Sequence, residues 1–351
     1  LVGGGLGRTP VVGAFINEFL PWQDLLSYLD AILRVYNRYG RRDNKYKARI
    51  KILVKALTPE VFAEKVEAEM AHLRGGQTTL TDAEVHRVAK HFVDPDYKTL
   101  SNQDAELAAL DQQHPGFARW RTRNTLAHKK PGYVAVTLSL KPTGVAPGDV
   151  TDKQFDAIAD LADRYSFGQL RTSHEQNIIL ADVEQSQLFT LWGELRENGF
   201  ATPNIGLLTD IICCPGGDFC SLANAKSIPI AESIQRRFDD LDYLFDIGEL
   251  DLNISGCMNA CGHHHVGHIG ILGVDKKGEE FYQVSLGGSA SRDASLGKIL
   301  GPSFAQDDMP DVISKLIDVY VEQRTEDERF IDTYQRIGID LFKERVYAAN
   351  H

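Results

Sequence analysis

The sequence predicts an α+β fold in which one structural unit occurs twice. Three observations support this: the two ends of the 351-residue chain resemble each other, its middle alternates strand and helix patterns, and all five cysteines share one segment. The composition, 43% hydrophobic and 25% charged, is that of a globular protein and excludes disordered and collagen-like chains. The formal charge of −11 argues against general nucleic-acid binding. No apolar run approaches the roughly 18 residues that a membrane span needs.

The similarity between the termini predicts a pseudo-two-fold duplication. Glycines at 3–5 precede an amphipathic helix and the segment 60–66, and glycines at 287–288 precede a second such helix and the segment 340–346. The apolar residues of the two helices recur at helical spacing, at Leu25, Leu26, Leu29, Ile32, Leu33 and Tyr36 and at Val312, Ile313, Leu316, Ile317 and Val319. A chance likeness between two amphipathic helices is the alternative. Since the chain begins at Leu1 inside a glycine run, we expect residues 1–70 to be the last part of a first copy that is incomplete here.

The middle of the chain divides at about residue 126. Residues 71–125 are polar with helical patterns, and we interpret them as a connecting segment. Residues 126–204 contain predicted strands at 133–140, 169–172 and 177–180, with helices that begin after Thr151 and near Leu188. This order of strands and helices is typical of a ferredoxin-like half-domain.

The last segment, residues 205–351, is predicted to be an α/β domain. Its strands are expected at 251–254, 268–274 and 280–286, with a turn at 275–278 and a helix at 229–238. This segment holds every cysteine, in two groups that flank the predicted helix. The helix therefore separates two candidate ligand loops.

The cysteine groups are Cys213, Cys214 and Cys220, followed by Cys257 and Cys261. Such clustering predicts a metal or redox centre in a reducing compartment, the cytoplasm, because a disulfide framework would spread over the chain. Thiolates are soft, charged ligands that bind zinc or iron–sulfur clusters. Five residues separate Cys214 from Cys220, whereas structural zinc sites favour about two to four. The spacing therefore favours an iron–sulfur cluster.

Zinc is the alternative, because four histidines follow the second group and could supply nitrogen ligands, at His263, His264, His265 and His268. Imidazoles that pack against the edge of a cofactor are the other interpretation of these histidines. Inert buried thiols are a third interpretation of the cysteines.

The paired loops resemble the signature of the siroheme-dependent sulfite and nitrite reductases. The pattern is Cys-x5-Cys followed by Gly-Cys-x-Asn-x-Cys-Gly, at 214–220 and 256–262. The segment from Gly132, with Leu170-Arg171-Thr172 and Gln176-Asn177, resembles the ferredoxin-like half-domain of that family. The resemblance covers nearly the whole chain. It implies that residues 205–351 form the second siroheme and 4Fe-4S cluster domain of a duplicated architecture, and that residues 1–70 end the first siroheme-binding repeat.

The resemblance implies four cluster ligands, Cys214, Cys220, Cys257 and Cys261, of which the last also ligates the siroheme iron. It gives Cys213 no ligand role. Siroheme carries carboxylates, which guanidinium groups bind through paired hydrogen bonds. The resemblance makes Arg171 and Asn177 candidate cofactor contacts, with an ordinary surface pair at a strand end as the alternative. Asn259, also carried over as a cofactor-binding residue, is expected to hydrogen-bond nearby backbone.

The implied reaction is the six-electron reduction of sulfite to sulfide, and reduction of nitrite to ammonia is the alternative. The implied electron donor is ferredoxin or an NADPH-dependent flavoprotein. The resemblance places the Arg and Lys residues that bind the anion upstream of Leu1, so no catalytic residue is assigned here. A zinc or iron–sulfur electron-transfer protein without a substrate is the more distant alternative.

A basic stretch follows the first helix, at Arg38, Arg41, Arg42, Lys45, Lys47, Arg49 and Lys51. We interpret most of its members as a solvated helix face. Binding of carboxylates or of an anionic substrate, and docking of an acidic electron-transfer partner, are the alternatives. We also expect the first seventy residues to expose apolar surface that promotes association.

Overall fold

The computed structural model describes residues 1–348. These residues form two compact units, one from Leu1 to Tyr97 and a second that begins at Lys98. Each unit has apolar core residues of its own. No helix in the described part of the chain is both long enough and apolar enough to cross a membrane.

The first unit is helical. Its initial loop closes on itself through isolated bridges from Val2 to Ala14 and from Gly5 to Val11. Four helices follow, α1 (Leu25–Tyr39), α2 (Ile50–Leu57), α3 (Pro59–Leu73) and α4 (Asp82–Ala89). The core is formed mainly by α1, α2 and α3, with Tyr28, Ala31, Ile32, Val35, Leu53, Val54, Phe62, Val66 and Met70.

The predicted helix α1 is confirmed, but its buried face differs from the predicted apolar stripe. Tyr28, Ala31 and Val35 are buried. Four leucines of the stripe are instead about half exposed, at Leu25, Leu26, Leu29 and Leu33. The expectation that this part of the chain exposes apolar surface is confirmed, and association through that surface stays a prediction.

Replacing Leu29 and Leu33 together by glutamine is expected to reduce self-association without loss of stability. The two residues are 47% and 52% exposed, so little packing is lost. Sedimentation velocity at several concentrations measures the change. Ala31→Gln is the matched control on the same helix: Ala31 is 0% exposed, so this change should lower the unfolding midpoint instead. Unchanged association of the double variant would contradict the prediction.

The predicted connecting segment is partly a piece of the half-domain. Helices α5 (Asp104–Gln113) and α6 (Pro115–Asn124) lie in the second unit. Leu107, Phe117 and Trp120 are buried in the same core as the half-domain strands. The core of the half-domain therefore includes three large side chains from the predicted connecting segment, and the boundary at 125/126 stays a prediction.

The half-domain contains an antiparallel sheet whose strands lie in the order β1, β2, β4, β3. The strands are β1 (Thr125–Ala127), β2 (Tyr133–Leu138), β3 (Arg171–Thr172) and β4 (Ile178–Glu184). Helices α7 (Asp152–Tyr165) and α8 (Leu188–Glu197) contribute to the same core. Thr151 caps α7 in a capping box with Gln154. The predicted strands, helices and N-cap are confirmed, and β1 is an addition.

A second sheet lies in the cysteine-containing segment. Its strands, in spatial order, are β5 (Ile212–Cys213), β6 (Leu252–Ser255), β7 (Ile269–Lys276), β8 (Glu279–Leu286) and β9 (Lys298–Ile299). The first three are parallel and the last two pair antiparallel. The chain between β5 and β6 forms α9 (Gly216–Phe219), α10 (Ile228–Arg237) and α11 (Leu241–Ile247). Because β5 and β6 run parallel, the loops that follow them leave the same edge of the sheet.

The turn between β7 and β8 is tighter than predicted. The strands continue to Lys276 and from Glu279, so only Lys277 and Gly278 form the loop. Both have positive φ, 60° and 88°, as a two-residue type I′ hairpin requires. Pairing thus extends to the end of both strands.

The C-terminal helices repeat the order of the N-terminal ones. Helix α12 (Met309–Gln323) has 15 residues like α1, and α13 (Phe330–Ile337) has 8 like α2. Helix α14 (Asp340–Tyr347) then contacts α12, as α3 contacts α1. Phe62 and Phe342 lie at matching positions of the two copies, and both are fully buried. The predicted duplication is confirmed.

Candidate metal centre

The first cysteine loop begins where β5 ends. The Cys214 N–H donates to the carbonyl of Ile254 at 3.1 Å, which extends the pairing of β5 and β6 to the first predicted ligand. Helix α9 then turns the chain, and the Cys220 N–H donates to the carbonyl of Gly216 at 2.9 Å. Cys214 and Cys220 are both half-buried. The short helix thereby brings the second thiol back toward the sheet edge.

The second loop begins after β6 and carries the buried Cys257 and the exposed Cys261. The Gly262 N–H donates to Ser255 Oγ at 3.1 Å and closes the loop. A Cβ at Gly262 would lie 1.9 Å from the carbonyl oxygen of Ile254. Only glycine therefore permits the chain to return so close to β6.

Backbone hydrogen bonds join the two loops. The Gly256 N–H donates to Cys214 Sγ at 3.1 Å. The Gly256 carbonyl accepts from the N–H groups of Asn224 and Ala225 at 2.8 and 3.1 Å. An N–H directed at sulfur stabilises the thiolate and tunes the potential of a bound cluster.

The four predicted ligands lie within electrostatic reach of one another. Burial is the main cause of a raised pKa for Cys261, and the nearby thiols raise it further, in the order Cys214, Cys257 and Cys220. Within residues 1–348, no three Cys, His, Asp or Glu side chains are arranged to hold a single metal ion. Zinc needs every sulfur at about 2.3 Å from one centre, whereas a 4Fe-4S cluster gives each of four thiolates its own iron. Four thiols on two loops are the number of ligands that a 4Fe-4S cluster needs.

Cys213 is separate from this set. Its side chain is buried, and its Sγ donates to the carbonyl of Cys214 at 3.2 Å. Burial, followed by the neighbouring Cys214, raises the pKa of Cys213 far above that of an ordinary thiol. A neutral, buried thiol is a poor ligand.

The four histidines after the second loop do not gather around one point. His263 is exposed, whereas His264 and His268 are buried. His268 Nδ1 accepts from the Asp251 N–H at 3.1 Å. The His264 ring packs on His265 with centroids 3.9 Å apart, and neither of its ring nitrogens has a hydrogen-bond partner among the described atoms. This arrangement favours packed imidazoles over zinc ligands.

His264 is expected to make the fold less stable below about pH 6.5. Burial, followed by His265, lowers the pKa of His264 from 6.5 to about 3. The unfolded chain therefore binds a proton in this window that the folded chain does not, at a cost of about 1.4 kcal/mol per pH unit. Urea unfolding at about pH 7.5 and 5.5 measures the loss. His264→Gln should reduce the loss and the exposed His263→Gln should not; the remainder includes His268, whose pKa burial also lowers. An equal loss in His264→Gln would contradict the prediction.

The other three candidates have different surroundings. Arg171 is exposed on β3, and its guanidinium forms no hydrogen bond or ion pair with the residues described. Asn177 is buried; it accepts from the Leu140 N–H at 3.1 Å and donates to Asp210 at 3.0 Å. Asn259 is exposed. Its side chain was expected to hydrogen-bond nearby backbone, but no described backbone group bonds it. Arg171 thus keeps its donors available for a carboxylate, while Asn177 is engaged within the protein.

Most of the basic stretch does not lie on a helix face, unlike the prediction; Arg38 and Lys51 alone of the seven are in α1 and α2. Residues 40–49 form the loop between α1 and α2. Arg41 pairs with Asp43, and Lys51 Nζ donates to the carbonyls of Leu6 and Thr9 at 2.9 and 2.7 Å. These cations stabilise loops of their own unit.

Three residues near the first loop were not predicted as part of the site, namely Lys141, Gln176 and Asp210. Lys141 Nζ donates to Asp210 Oδ1 at 2.7 Å, and both side chains are buried. The Gln176 side chain bonds the backbone of Cys213. The sequence does contain one indication of this ion pair. Lys141 ends an apolar strand pattern, and a lysine that is buried there requires a partner.

The fold and the paired loops define an iron–sulfur protein of the α+β class. A model of the nitrite and sulphite reductase 4Fe-4S domain matches residues 1–73 and 207–350. A model of the nitrite/sulfite reductase ferredoxin-like half domain matches residues 127–198. The chain belongs to the nitrite and sulfite reductase family.

Similar proteins carry both names. Sulfite reductase [ferredoxin] 2 of Mycolicibacterium paratuberculosis is 26% identical over 351 residues, which cover 97% of this chain and 56% of that protein. The assimilatory ferredoxin-dependent nitrite reductase of Haloferax mediterranei is also 26% identical, over 98% of this chain and 55% of that protein. The solved structure of the Mycobacterium tuberculosis NirA protein shares the fold, with a TM-score of 0.69 and 24% identity over 97% of this chain and 57% of that one. The chain spans about half the length of the curated relatives it matches.

Proposed function

We propose that this chain is part of a siroheme-dependent sulfite reductase that reduces sulfite to sulfide with six electrons. The observation that carries the proposal is the placement of four thiols on the two loops that follow the parallel strands β5 and β6 at one edge of the sheet. Reduction of nitrite to ammonia by the same centre is the alternative, because relatives named for either reaction are equally similar, at 26% identity.

In this proposal a 4Fe-4S cluster is held by Cys214, Cys220, Cys257 and Cys261, and Cys261 also binds the siroheme iron. Cys261 is the exposed thiol of the four, which suits a ligand shared with a second centre. Two apolar side chains on the same loops are exposed, Phe219 by 78% and Met258 by 42%, and offer surface for a macrocycle. When bound, the coupled siroheme and cluster supply electrons to the substrate anion one after another.

Other residues of this chain are proposed to orient the cysteine ligands and to bind the siroheme. The Gly256 N–H donates to Cys214 Sγ and stabilises its thiolate form. The unpaired Arg171 guanidinium is suited to a siroheme carboxylate, which it would bind through two parallel hydrogen bonds. Asn177 acts from inside the protein, by holding Asp210 in place.

The partner and the domain limits are also proposals. Ferredoxin is the proposed electron donor, because the names of the relatives specify it. The proposed domains are 1–70, 71–125, 126–204 and 205–351, with the half-domain core extended back to α5. The five free cysteines support a reducing compartment, which we take to be the cytoplasm.

Metal content and absorption of the purified protein test the cofactor assignment. About four irons per cluster together with siroheme absorption are expected. A colourless protein that binds one zinc ion would overturn the assignment. Turnover of sulfite and nitrite by the full-length enzyme of which this chain is part, measured side by side with reduced ferredoxin, then decides the substrate. A higher kcat/KM for sulfite supports the proposal, and a higher value for nitrite selects the alternative.

A further inference from the structure

We propose that Gln176 is a positioning residue for the ligand Cys214 and acts through the backbone of Cys213. The inference rests on the proposed cluster binding by Cys214. Gln176 Nε2 donates to the carbonyl of Cys213 at 2.9 Å, and Oε1 accepts from the Cys213 N–H at 2.8 Å. One side-chain amide thus satisfies both backbone groups of the residue that precedes the ligand.

The Gln176 amide occupies the outer edge of the second sheet. Strand β5 is the edge strand and pairs only with β6 within that sheet. The Cys214 N–H points to β6, where it bonds Ile254, so the backbone groups of Cys213 point to the other side. An unpaired strand edge leaves donors and acceptors without partners. The amide of Gln176 replaces the peptide group that a neighbouring strand would supply.

Gln176 is itself held in place by its surroundings. Its φ of +58° lies in the left-handed region, which is unfavourable for a residue with a Cβ. Gly148 packs directly against it, because a Cβ at Gly148 would lie 3.1 Å from that of Gln176. The next residue, Asn177, donates its N–H to Ser173 Oγ at 3.2 Å. A strained conformation that is fixed by several contacts is typical of functional positions.

A second anchor secures the chain just before Cys213. Lys141 Nζ donates to Asp210 Oδ1 at 2.7 Å and to the carbonyl of Glu175. Asn177 Nδ2 donates to the same Asp210 oxygen at 3.0 Å. Positions 210 and 213 are therefore both bonded to the loop that carries Gln176. Two anchors leave the intervening chain little freedom to rotate.

The consequence for the centre concerns the direction of the Cys214 thiol. Cys214 Sγ accepts from the Gly256 N–H at 3.1 Å, and this contact depends on how the preceding peptide is oriented. Without the two Gln176 hydrogen bonds (the clamp), the peptide between Cys213 and Cys214 is held only by the bond from the Cys214 N–H to Ile254, so it can tilt about that bond and move the thiol out of this geometry. Residues that orient metal ligands typically contribute 10–100-fold to metal affinity.

The test compares Gln176→Ala and Gln176→Glu with Gln154→Ala. Gln154 caps α7 in the same half-domain and has no contact with the cysteine loops in the structure described, so it is the matched control. Each protein is loaded with ferrous iron and sulfide, and the rate of iron release to a chelator is measured. Gln176→Ala should release iron about tenfold faster than the original protein, and Gln154→Ala should not.

A pH profile of Gln176→Glu separates positioning from general stability. An ionised carboxylate has no donor for the Cys213 carbonyl, whereas a protonated carboxyl supplies one donor and one acceptor, as the amide does. The ratio of iron-release rates between this variant and the original protein should therefore fall toward one as the pH is lowered from about 7 to about 4, across the ordinary glutamate pKa of about 4.3. A ratio that does not change with pH would overturn the proposal.

Hydrogen exchange of the Cys213 amide in the metal-free protein keeps the two proposals distinguishable. Failure of the original protein to bind iron would refute the proposed function. Hydrogen exchange would still show whether the Gln176 side chain protects the Cys213 N–H. Gln176→Ala should accelerate exchange at Cys213 about tenfold or more, because the N–H loses its acceptor. The clamp is disproved if exchange stays at the original rate, or if Gln154→Ala accelerates it equally.

Discussion

Cys261→Ser is expected to abolish stable cluster binding and siroheme retention together. A serine hydroxyl is a harder and far less acidic ligand than a thiol, and it cannot replace a thiolate that is shared between two centres. Iron and acid-labile sulfide per chain, with the absorption spectrum, measure the loss, which should exceed tenfold for intact clusters. Retention of both siroheme and activity would show that Cys261 is not the shared ligand.

Cys213→Ser is the matched control for this change. Cys213 lies one residue from a proposed ligand, yet its thiol is buried and donates to a carbonyl, as a serine hydroxyl can. The variant should keep its iron content unchanged. A loss of iron equal to that of Cys261→Ser would mean that the cysteine region tolerates no substitution, and the assignment of four ligands would lose its support.

Lys141→Met should lower the free energy of unfolding by about 3–5 kcal/mol, because it leaves Asp210 buried without its cation. The two side chains are 0% and 5% exposed, and the carboxylate has no access to water that could replace the ammonium group. Urea denaturation followed by circular dichroism measures the effect. A loss below about 1 kcal/mol would contradict the prediction.

Arg164→Met supplies the comparison for a surface pair. Arg164 pairs with Glu194, but the arginine side chain is 54% exposed, so its removal should cost less than about 1 kcal/mol. Combining Lys141→Met with Asp210→Leu should recover part of the loss, since no unpaired charge then remains buried.

The half-domain could be predicted because its signals are local. Thr151 caps a helix whose buried residues Ile158 and Leu161 recur at helical spacing, and both features lie within a few turns of one another. Strands β5 and β9 were not predicted, because two residues are too short for a repeating pattern, whereas the equally short β3 lies within the longer predicted strand 169–172. Their conformation is imposed by neighbouring strands from distant parts of the chain.

The candidate site also combines features that the local sequence predicts with contacts that it does not. The spacing of the cysteines indicated two ligand loops, since ligand spacing is written directly in the sequence. The contact between Gln176 and Cys213 joins residues 37 positions apart, and no local pattern specifies it. Asn177 is predicted to contact the cofactor, but in the structure its side-chain amide hydrogen-bonds Leu140 and Asp210 inside the protein.

The placement of α10 and α11 between the two cysteine groups has a consequence for folding. A cluster bound to both loops would cross-link the chain and close a ring of roughly forty residues between Cys220 and Cys257. By analogy with a disulfide, such a closure restricts the unfolded chain and stabilises the fold by about 4 kcal/mol. The cluster would then act as a cross-link between the two loops. Loss of iron would remove this cross-link and lower the stability of the segment that contains α10 and α11.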